Sequence, residues 1–389
     1  MTRGSLRVVA AVVVTLAARA MPVLAQDFPR GTIIDDVKCA ADPTQRYALY
    51  LPSTYSRDRL WNLLIAFHPA ARGRAMVEKY QAAAEQYGYI VAGSNTSRNG
   101  PWAVSIASVR AMSADLGQRF AIDADRVYLT GMSGGARVAL QVALGNSNIA
   151  GVIASSAGYP DNRPRTSMRF PIFATAGTDD FNYLEMRQLD RTLTSAHHLA
   201  IFNGGHTLPP DAIALEAIEW MELEAMRSGR RTRDDVLVER LFAKRQRLVA
   251  EATSSAATVH LLDATVADFN GLRSVSAEAA RAADMSRQPE VKKALARERA
   301  DDDAERRVLS DIFDLEGGLR DGNRRAASLI RLRDQLSRCA RTASGEVDSP
   351  ERSQARRMLR VVTSGASERV DDPQYLQLLE ELRRGAGSR

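Results

Sequence analysis

Apolar and polar residues change places along this chain in three rhythms. Residues 32–37 and 46–51 alternate between the two, as strands with one buried face do, and Pro52 closes the second half of what reads as an opening hairpin. From residue 62 the alternation gives way to short continuous apolar runs at 62–67, 89–93, 127–131, 150–154, 171–176 and 199–203. Runs of this length are strands buried on both faces. Helical spacing fills the gaps at 77–87, where Gly88 closes the pattern, at 103–120, directly after Ser133, at 183–195 and at 209–227. Strands that alternate with helices predict an α/β fold, a mostly parallel sheet covered by helices on both faces.

The third rhythm begins at Ser228-Gly229-Arg230-Arg231-Thr232-Arg233. About a fifth of the residues before this stretch are charged and over a third after it, and no buried-strand run appears again. Apolar positions now fall at helical spacing, as at Leu262, Val266 and Phe269, or at Tyr375, Leu378, Leu379 and Leu382. Ser349-Pro350-Glu351 and Asp372-Pro373 have the form of a helix cap followed by proline in the first turn. The pattern therefore predicts an α/β domain over residues 26–228 followed by an all-α domain over residues 229–389, without a repeat period. Charge runs such as Asp301-Asp302-Asp303 and Arg356-Arg357 read as solvated helix faces.

Composition narrows the picture. The chain has 389 residues, 45% of them apolar, which is ample material for a folded core. Its net charge of +6 is spread among many acidic neighbours with no aromatic-interleaved basic stripe, which argues against a nucleic-acid partner. Residues 1–25 carry a basic tip at Arg3 and Arg7, an apolar run over 8–18 and the small-residue exit Val23-Leu24-Ala25. This is the form of a secretory signal peptide cleaved before Gln26, and Arg19 leaves its apolar run too short for a lasting membrane span. The expected location is secreted or periplasmic. Export permits disulfides, but Cys39 and Cys339 fall in different domains and read as two separate buried thiols. No cluster has metal-ligand spacing, and no cofactor is implied.

One turn carries candidate chemistry. In Thr130-Gly131-Met132-Ser133-Gly134-Gly135 an apolar strand ends, a serine follows, and a helix begins at once. So sharp a turn is bearable only if the positions two before and two after the serine lack a Cβ, and Gly131 and Gly135 meet that need. The turn lifts the Ser133 hydroxyl clear of the sheet, above the N–H groups at the start of the helix. A hydroxyl needs a base to become a nucleophile at neutral pH, and the base needs a group to orient it. Of the five histidines, His206 follows the last strand in Asn203-Gly204-Gly205-His206, where the glycines let the chain bend toward the serine. His197 and His198, just before that strand, read as residues that cap carbonyls or face water, and His260 as a surface or packing residue. His68, at the end of the 62–67 strand, is the competing base, although its place suits the shaping of a loop. The run 173–180 ends in Asp179-Asp180, two acids at the tip of a buried strand. The order is then Ser, Asp, His, that of an α/β-hydrolase triad.

On Phe67-His68-Pro69, Gly131-Met132-Ser133-Gly134-Gly135, Gly177-Thr178-Asp179-Asp180 and Gly204-Gly205-His206, the region from about residue 32 to 227 resembles the α/β-hydrolase superfamily, in particular secreted esterases related to polyhydroxybutyrate depolymerases and feruloyl esterases. The resemblance implies that the acid is the fourth residue of Gly-x-x-Asp, Asp180, with Asp179 left as a turn residue. Such esterases carry His-Gly where this chain has His68-Pro69, and proline has no N–H to give. The oxyanion donors expected here are the backbone N–H groups of Gly134 and of Ala70 or Ala71. The loop 95–102 leaves the carboxyl end of a neighbouring strand, which makes Asn95 and Trp102 candidate substrate contacts. Trp102 could equally pack that loop onto the next helix. The expectation is a serine hydrolase acting through Ser133, Asp180 and His206 on a small or polymeric ester. A serine peptidase on the same fold is the alternative within enzymes, and a scaffold acting through its helical domain the alternative outside them.

Overall fold

The structure is a computed structural model and describes residues 28–387 except residue 162; the signal peptide expected at residues 1–25 lies outside the described residues. Eight strands form one sheet in the order β1-β2-β4-β3-β5-β6-β7-β8. β1 (Ile33–Lys38) and β2 (Arg46–Tyr50) make the expected hairpin, and β2 joins β4 (Tyr89–Ser94) antiparallel. From β4 onward every pairing is parallel, through β3 (Trp61–Phe67), β5 (Ile122–Met132), β6 (Ile149–Ser155), β7 (Ile172–Gly177) and β8 (His197–Phe202). Helices α1 (Gly73–Tyr87) and α5 (Asp211–Arg227) cover one face, and α2 (Trp102–Arg119), α3 (Gly134–Gly145) and α4 (Tyr183–Thr192) the other.

Two element ends differ from the apolar pattern for physical reasons. β5 starts at Ile122, five residues before its apolar run, because Trp61 pairs with Ile122 at the amino ends of β3 and β5 while Asp123 and Asp125 stay outside the core. β8 starts at His197 rather than at residue 199. The His198 ring stacks on Phe173 with centroids 4.9 Å apart, and its Nδ1 lies 3.1 Å from Asp268. His198 therefore joins the sheet to the helical region and neither caps a helix nor faces water. His197 does meet carbonyls, those of Ser195 at 2.7 Å and Asp190 at 3.0 Å.

After residue 228 the described chain is helical throughout: α6 (Asp235–Glu251), α7 (Ser255–Phe269), α8 (Ser276–Arg287), the long α9 (Pro289–Gly318), α10 (Arg325–Ala343), α11 (Pro350–Thr363), the short α12 (Ala366–Arg369) and α13 (Pro373–Gly387). Ser349 caps α11 by accepting from Arg352 N–H at 3.2 Å, with Pro350 in the first turn as its sequence implied. Helices α9 to α13 share a core around Ile312, Leu332, Leu336, Val362 and Tyr375. A second cluster, with Leu223 and Met226 of α5 against Leu237, Leu241 and Phe242 of α6 and Phe269 of α7, runs across the expected boundary. The outer side of α5 is thus covered, which is why Glu219, Glu222 and Glu224 are buried. They are paired there: Glu222 accepts from Arg126 at 2.5 Å and from Arg231, and Glu219 from Lys244 at 2.7 Å. Cys39 and Cys339 are free, and burial raises both thiols, Cys39 to about 12.

Candidate active site

Ser133 stands between β5 and α3 with φ 54° and ψ −123°, a left-handed conformation that a residue with a Cβ occupies only under constraint. Its N–H donates to Ser155 O at 2.8 Å, and its carbonyl accepts from Ala136 and Arg137 at 2.9 and 3.2 Å. The flanking glycines act through space rather than through φ. A Cβ on Gly131 would fall inside the backbone of Gly135, and one on Gly135 inside the carbonyl of Phe67. Arg137, one turn into α3, binds Glu185 of α4 through two nitrogens at 2.9 and 2.8 Å and Tyr159 O at 2.6 Å, which fixes the helix below the serine.

The ends of β7 and β8 bring the other two groups to Ser133. At Gly177 the two strand ends converge so closely that a Cβ would strike the carbonyls of Gly204 and Gly205. Asp179 N–H donates to Gly204 O at 2.8 Å, and Thr178 N–H to Phe202 O at 2.8 Å. His206 bridges the acid and the serine, with Nδ1 2.8 Å from Asp180 Oδ1 and Nε2 2.8 Å from Ser133 Oγ. A carboxylate can only accept, so Nδ1 carries the proton and Nε2 is left to accept from the serine hydroxyl. Asp180 is fully buried, and its Oδ1 also accepts from Asn182 N–H at 2.8 Å. Its Oδ2 has no hydrogen-bond partner among the described residues.

Around this core lie residues that the motifs did not point to. Phe181 stacks on the His206 ring with centroids 3.9 Å apart, fixing its plane. Asn182 ties the acid to the β6 turn by donating to Ser156 O at 2.7 Å, and Ser156 itself has φ 60°. The side-chain carbonyl oxygen Oδ1 of Asn99 lies against the Cα of Gly134, in the space a Cβ there would take. Asn99 could have been suspected from its place in the loop 95–102. Phe181 and Asn182 had no signal beyond following the acid.

The expected oxyanion donors are only partly available. Gly134 opens α3 beside Ser133, where its N–H has no partner within the helix. Ala70 N–H, however, donates to His68 Nδ1 at 3.0 Å and Ala71 N–H to His68 O at 3.1 Å. Ala71 has φ 55°, so the turn is held tightly by these bonds. His68 is therefore a loop-shaping residue, and burial together with the neighbouring Arg72 holds its pKa below the usual value. Asn95 is not brought into the site: its Nδ2 donates to Asp35 O at 2.7 Å and its Oδ1 presses on Gly73, so it fastens β4 to β1 and α1. Trp102 begins α2 with 44% of its surface exposed.

One expectation for the helical region is corrected. Arg357 and Asp302 are buried rather than solvated: Asp302 pairs with Arg187 at 3.3 Å and with Arg191, both on α4, and Arg357 reaches Thr178 O at 2.5 Å. A run of like charges hides this, because each arginine faces a different partner in the fold. Among the described residues no group of His, Cys, Asp or Glu is arranged to hold a metal ion.

A nucleophile elbow after β5, an acid after β7 and a histidine after β8, on a mostly parallel sheet, define an α/β-hydrolase fold carrying an added helical region. No family model and no curated protein matches the sequence. Among solved structures the chain is similar to a thermostable esterase, at 17% identity over 48% of this chain and 61% of that one, with a TM-score of 0.36. It is also similar to a tributyrin-phosphonate-inhibited esterase B from Lactobacillus rhamnosis, at 19% identity over 51% of this chain and 87% of that one, with a TM-score of 0.40. A third is dipeptidyl peptidase 4 from Porphyromonas gingivalis, at 15% identity over 48% of this chain and 34% of that one, with a TM-score of 0.37. The chain thus spans 61% of the length of the thermostable esterase it matches.

Proposed function

We propose that this chain is an exported serine hydrolase that cleaves carboxylic esters by acyl transfer. The observation that carries the reading is the unbroken contact from Ser133 Oγ through His206 to buried Asp180, 2.8 Å at each step. Ser133 attacks the ester carbonyl while His206 Nε2 takes its proton, and Asp180 steadies the imidazolium that results. The proton then passes from His206 to the leaving alcohol, leaving an acyl group on Ser133. Water, deprotonated by the same imidazole, attacks that acyl carbon and frees the acid. Gly134 N–H is one donor to the tetrahedral oxyanion. Asn99 packs its Oδ1 against Gly134, and its Nδ2 is the candidate second donor, because both alanine N–H groups are engaged with His68. Exposed Trp102 is the candidate contact for the acyl chain or the alcohol.

A fluorophosphonate probe tests the reading, since it reacts only with a serine activated by a base and facing an oxyanion site. One label per chain is expected, mapped to Ser133 and lost in His206→Ala. Folded protein that takes up no label anywhere between about pH 6 and 9 would refute it. Nitrophenyl esters of graded acyl length, run beside a peptide panel, then separate esterase from peptidase.

A further inference from the structure

Helix α11 turns one arginine face toward the loop that carries Asp180. Arg357 Nη1 donates to Thr178 O at 2.5 Å, and its guanidinium lies 4.1 Å from the centre of the Tyr183 ring. Thr178 and Tyr183 flank the acid on either side, and Tyr183 N–H donates to Asp180 O at 2.9 Å. Arg357 is held in turn by Glu305 of α9 through two bonds of 3.1 and 2.5 Å, with both side chains buried. One turn along, Arg360 Nη1 donates to Asp179 O at 3.2 Å and lies against Gly205, the residue before His206. Arg356 pairs with Asp179 Oδ2 at 3.2 Å. The three arginines thus meet both the acid loop and the histidine loop, and they come from the part of the chain that the triad itself does not use.

We propose that α11 is a positioning element of the active site: Arg357 and Arg360, aided by Arg356, hold the loops 177–181 and 204–206 in the spacing that keeps Asp180 on His206. This rests on the serine-hydrolase reading. Within the α/β sheet the acid loop is tied to the histidine loop by Thr178 N–H to Phe202 O and Asp179 N–H to Gly204 O, and to the β6 turn through Asn182, while one oxygen of Asp180 is buried without a partner among the described residues. The arginines of α11 add a support from outside the sheet that keeps the loop closed over that carboxylate. A displacement of about 1 Å at a catalytic group can cost on the order of 100-fold in rate, so a support of this kind acts on kcat. Substrate binding, which involves other loops, is left unchanged.

The test uses the full chain, with p-nitrophenyl acetate turnover, fluorophosphonate labelling and a thermal melt on each variant. In Arg357→Ala, kcat is expected to fall about 10- to 100-fold with KM within about twofold of the parent. Arg360→Ala is expected to fall about three- to tenfold and Arg360→Lys to recover, because one ammonium donor can replace the single bond to Asp179 O. Arg352→Ala, on the same helix but bonded to Asp348, keeps parental turnover. If Arg357→Ala does not fold, the exposed Arg360 pair decides alone. Folded Arg360→Ala, or Arg357→Ala, with parental kcat overturns the proposal while a labelled parent leaves the hydrolase reading standing. A parent that neither labels nor turns over overturns both.

Discussion

Replacing Asp180 by Asn changes one atom and tests the site's electrostatics. The carboxylate faces His206 Nδ1 at 2.8 Å in a fully buried position, so it stabilises the imidazolium formed in the transition state. Two unit charges about 4 Å apart interact by about 4 kcal/mol at an effective dielectric of about 20, and each 1.36 kcal/mol is about tenfold in rate. Loss of the charge alone therefore removes about three orders of magnitude from kcat. The amide adds a second penalty. Asn182 N–H points at Oδ1 and demands an acceptor there, which sends the new NH2 to the Oδ2 position, where nothing among the described residues receives it. That buried donor costs about 1–3 kcal/mol of stability. If the amide turns round, its NH2 faces Nδ1 and forces the histidine into the wrong tautomer. Either way, kcat on p-nitrophenyl acetate is expected to fall about 10³- to 10⁴-fold. Asp179→Asn weakens the pair that buried Asp179 makes with the partly exposed Arg356 at 3.2 Å but leaves His206 its acceptor, and stays within about threefold of the parent. Equal losses in the two variants, or a larger one for Asp179, would refute the assignment of the acid.

Asn99→Ala should lower kcat about 10²- to 10³-fold with KM little changed, the usual loss for one oxyanion donor; a change below threefold would return the role to Ala70 and require its bond to His68 to open. Asp268→Ala should destabilise the chain by about 1–3 kcal/mol in urea melts, because buried Trp220 Nε1 loses its acceptor and Arg245 and His198 keep only Glu216 as a carboxylate neighbour. Asp268 is held below 3.8, against the pull of burial, by His198, Arg245 and Trp220. A depressed acid stabilises the fold above its unfolded pKa, so the parent should lose this share as pH falls below about 4, and the variant should show a flatter acid limb. Glu224 is raised from 4.5 to about 7 by burial, so the folded state holds its proton more tightly and stability declines as pH rises through that window. Glu224→Gln should accordingly gain Tm relative to the parent at pH 8 and not at pH 5; an equal difference at both would show that Glu224 is ionised throughout.

The sheet was legible because burial on both faces writes itself as uninterrupted apolar runs, and β3, β4, β6 and β7 coincide with those runs to within a residue or two. The elbow was legible for a steric reason, since no residue but glycine fits where Gly131 meets Gly135 and where Gly135 meets Phe67. Pairings between side chains distant in sequence left no such trace. Nothing near His198 announces Asp268, and nothing near Thr178 announces Arg357. The loop 95–102 was rightly placed close to the site, but neighbourhood does not fix direction: Asn95 turns toward Asp35, and Asn99 lies against Gly134.

The change of composition at residues 228–233 marks where strands stop, but it does not mark where the energy of the fold divides. Arg231 pairs with buried Glu222, Arg227 and Arg233 reach carbonyls at Asp268 and Leu272, and Leu223 and Met226 share a core with α6 and α7. A chain ending near residue 230 would leave Glu219, Glu222 and Glu224 on an uncovered helix and strip the apolar side of α5 of its cover. Ten consecutive positions of α5, Ala217 to Met226, are buried, which a helix shows only when protein covers it all round. The helical region therefore covers the outer side of α5 through α6 and α7, as the sheet covers its inner side. The support built on α11 reaches the sheet separately, through Arg357 at Thr178 and through Asp302 of α9 at Arg187 and Arg191.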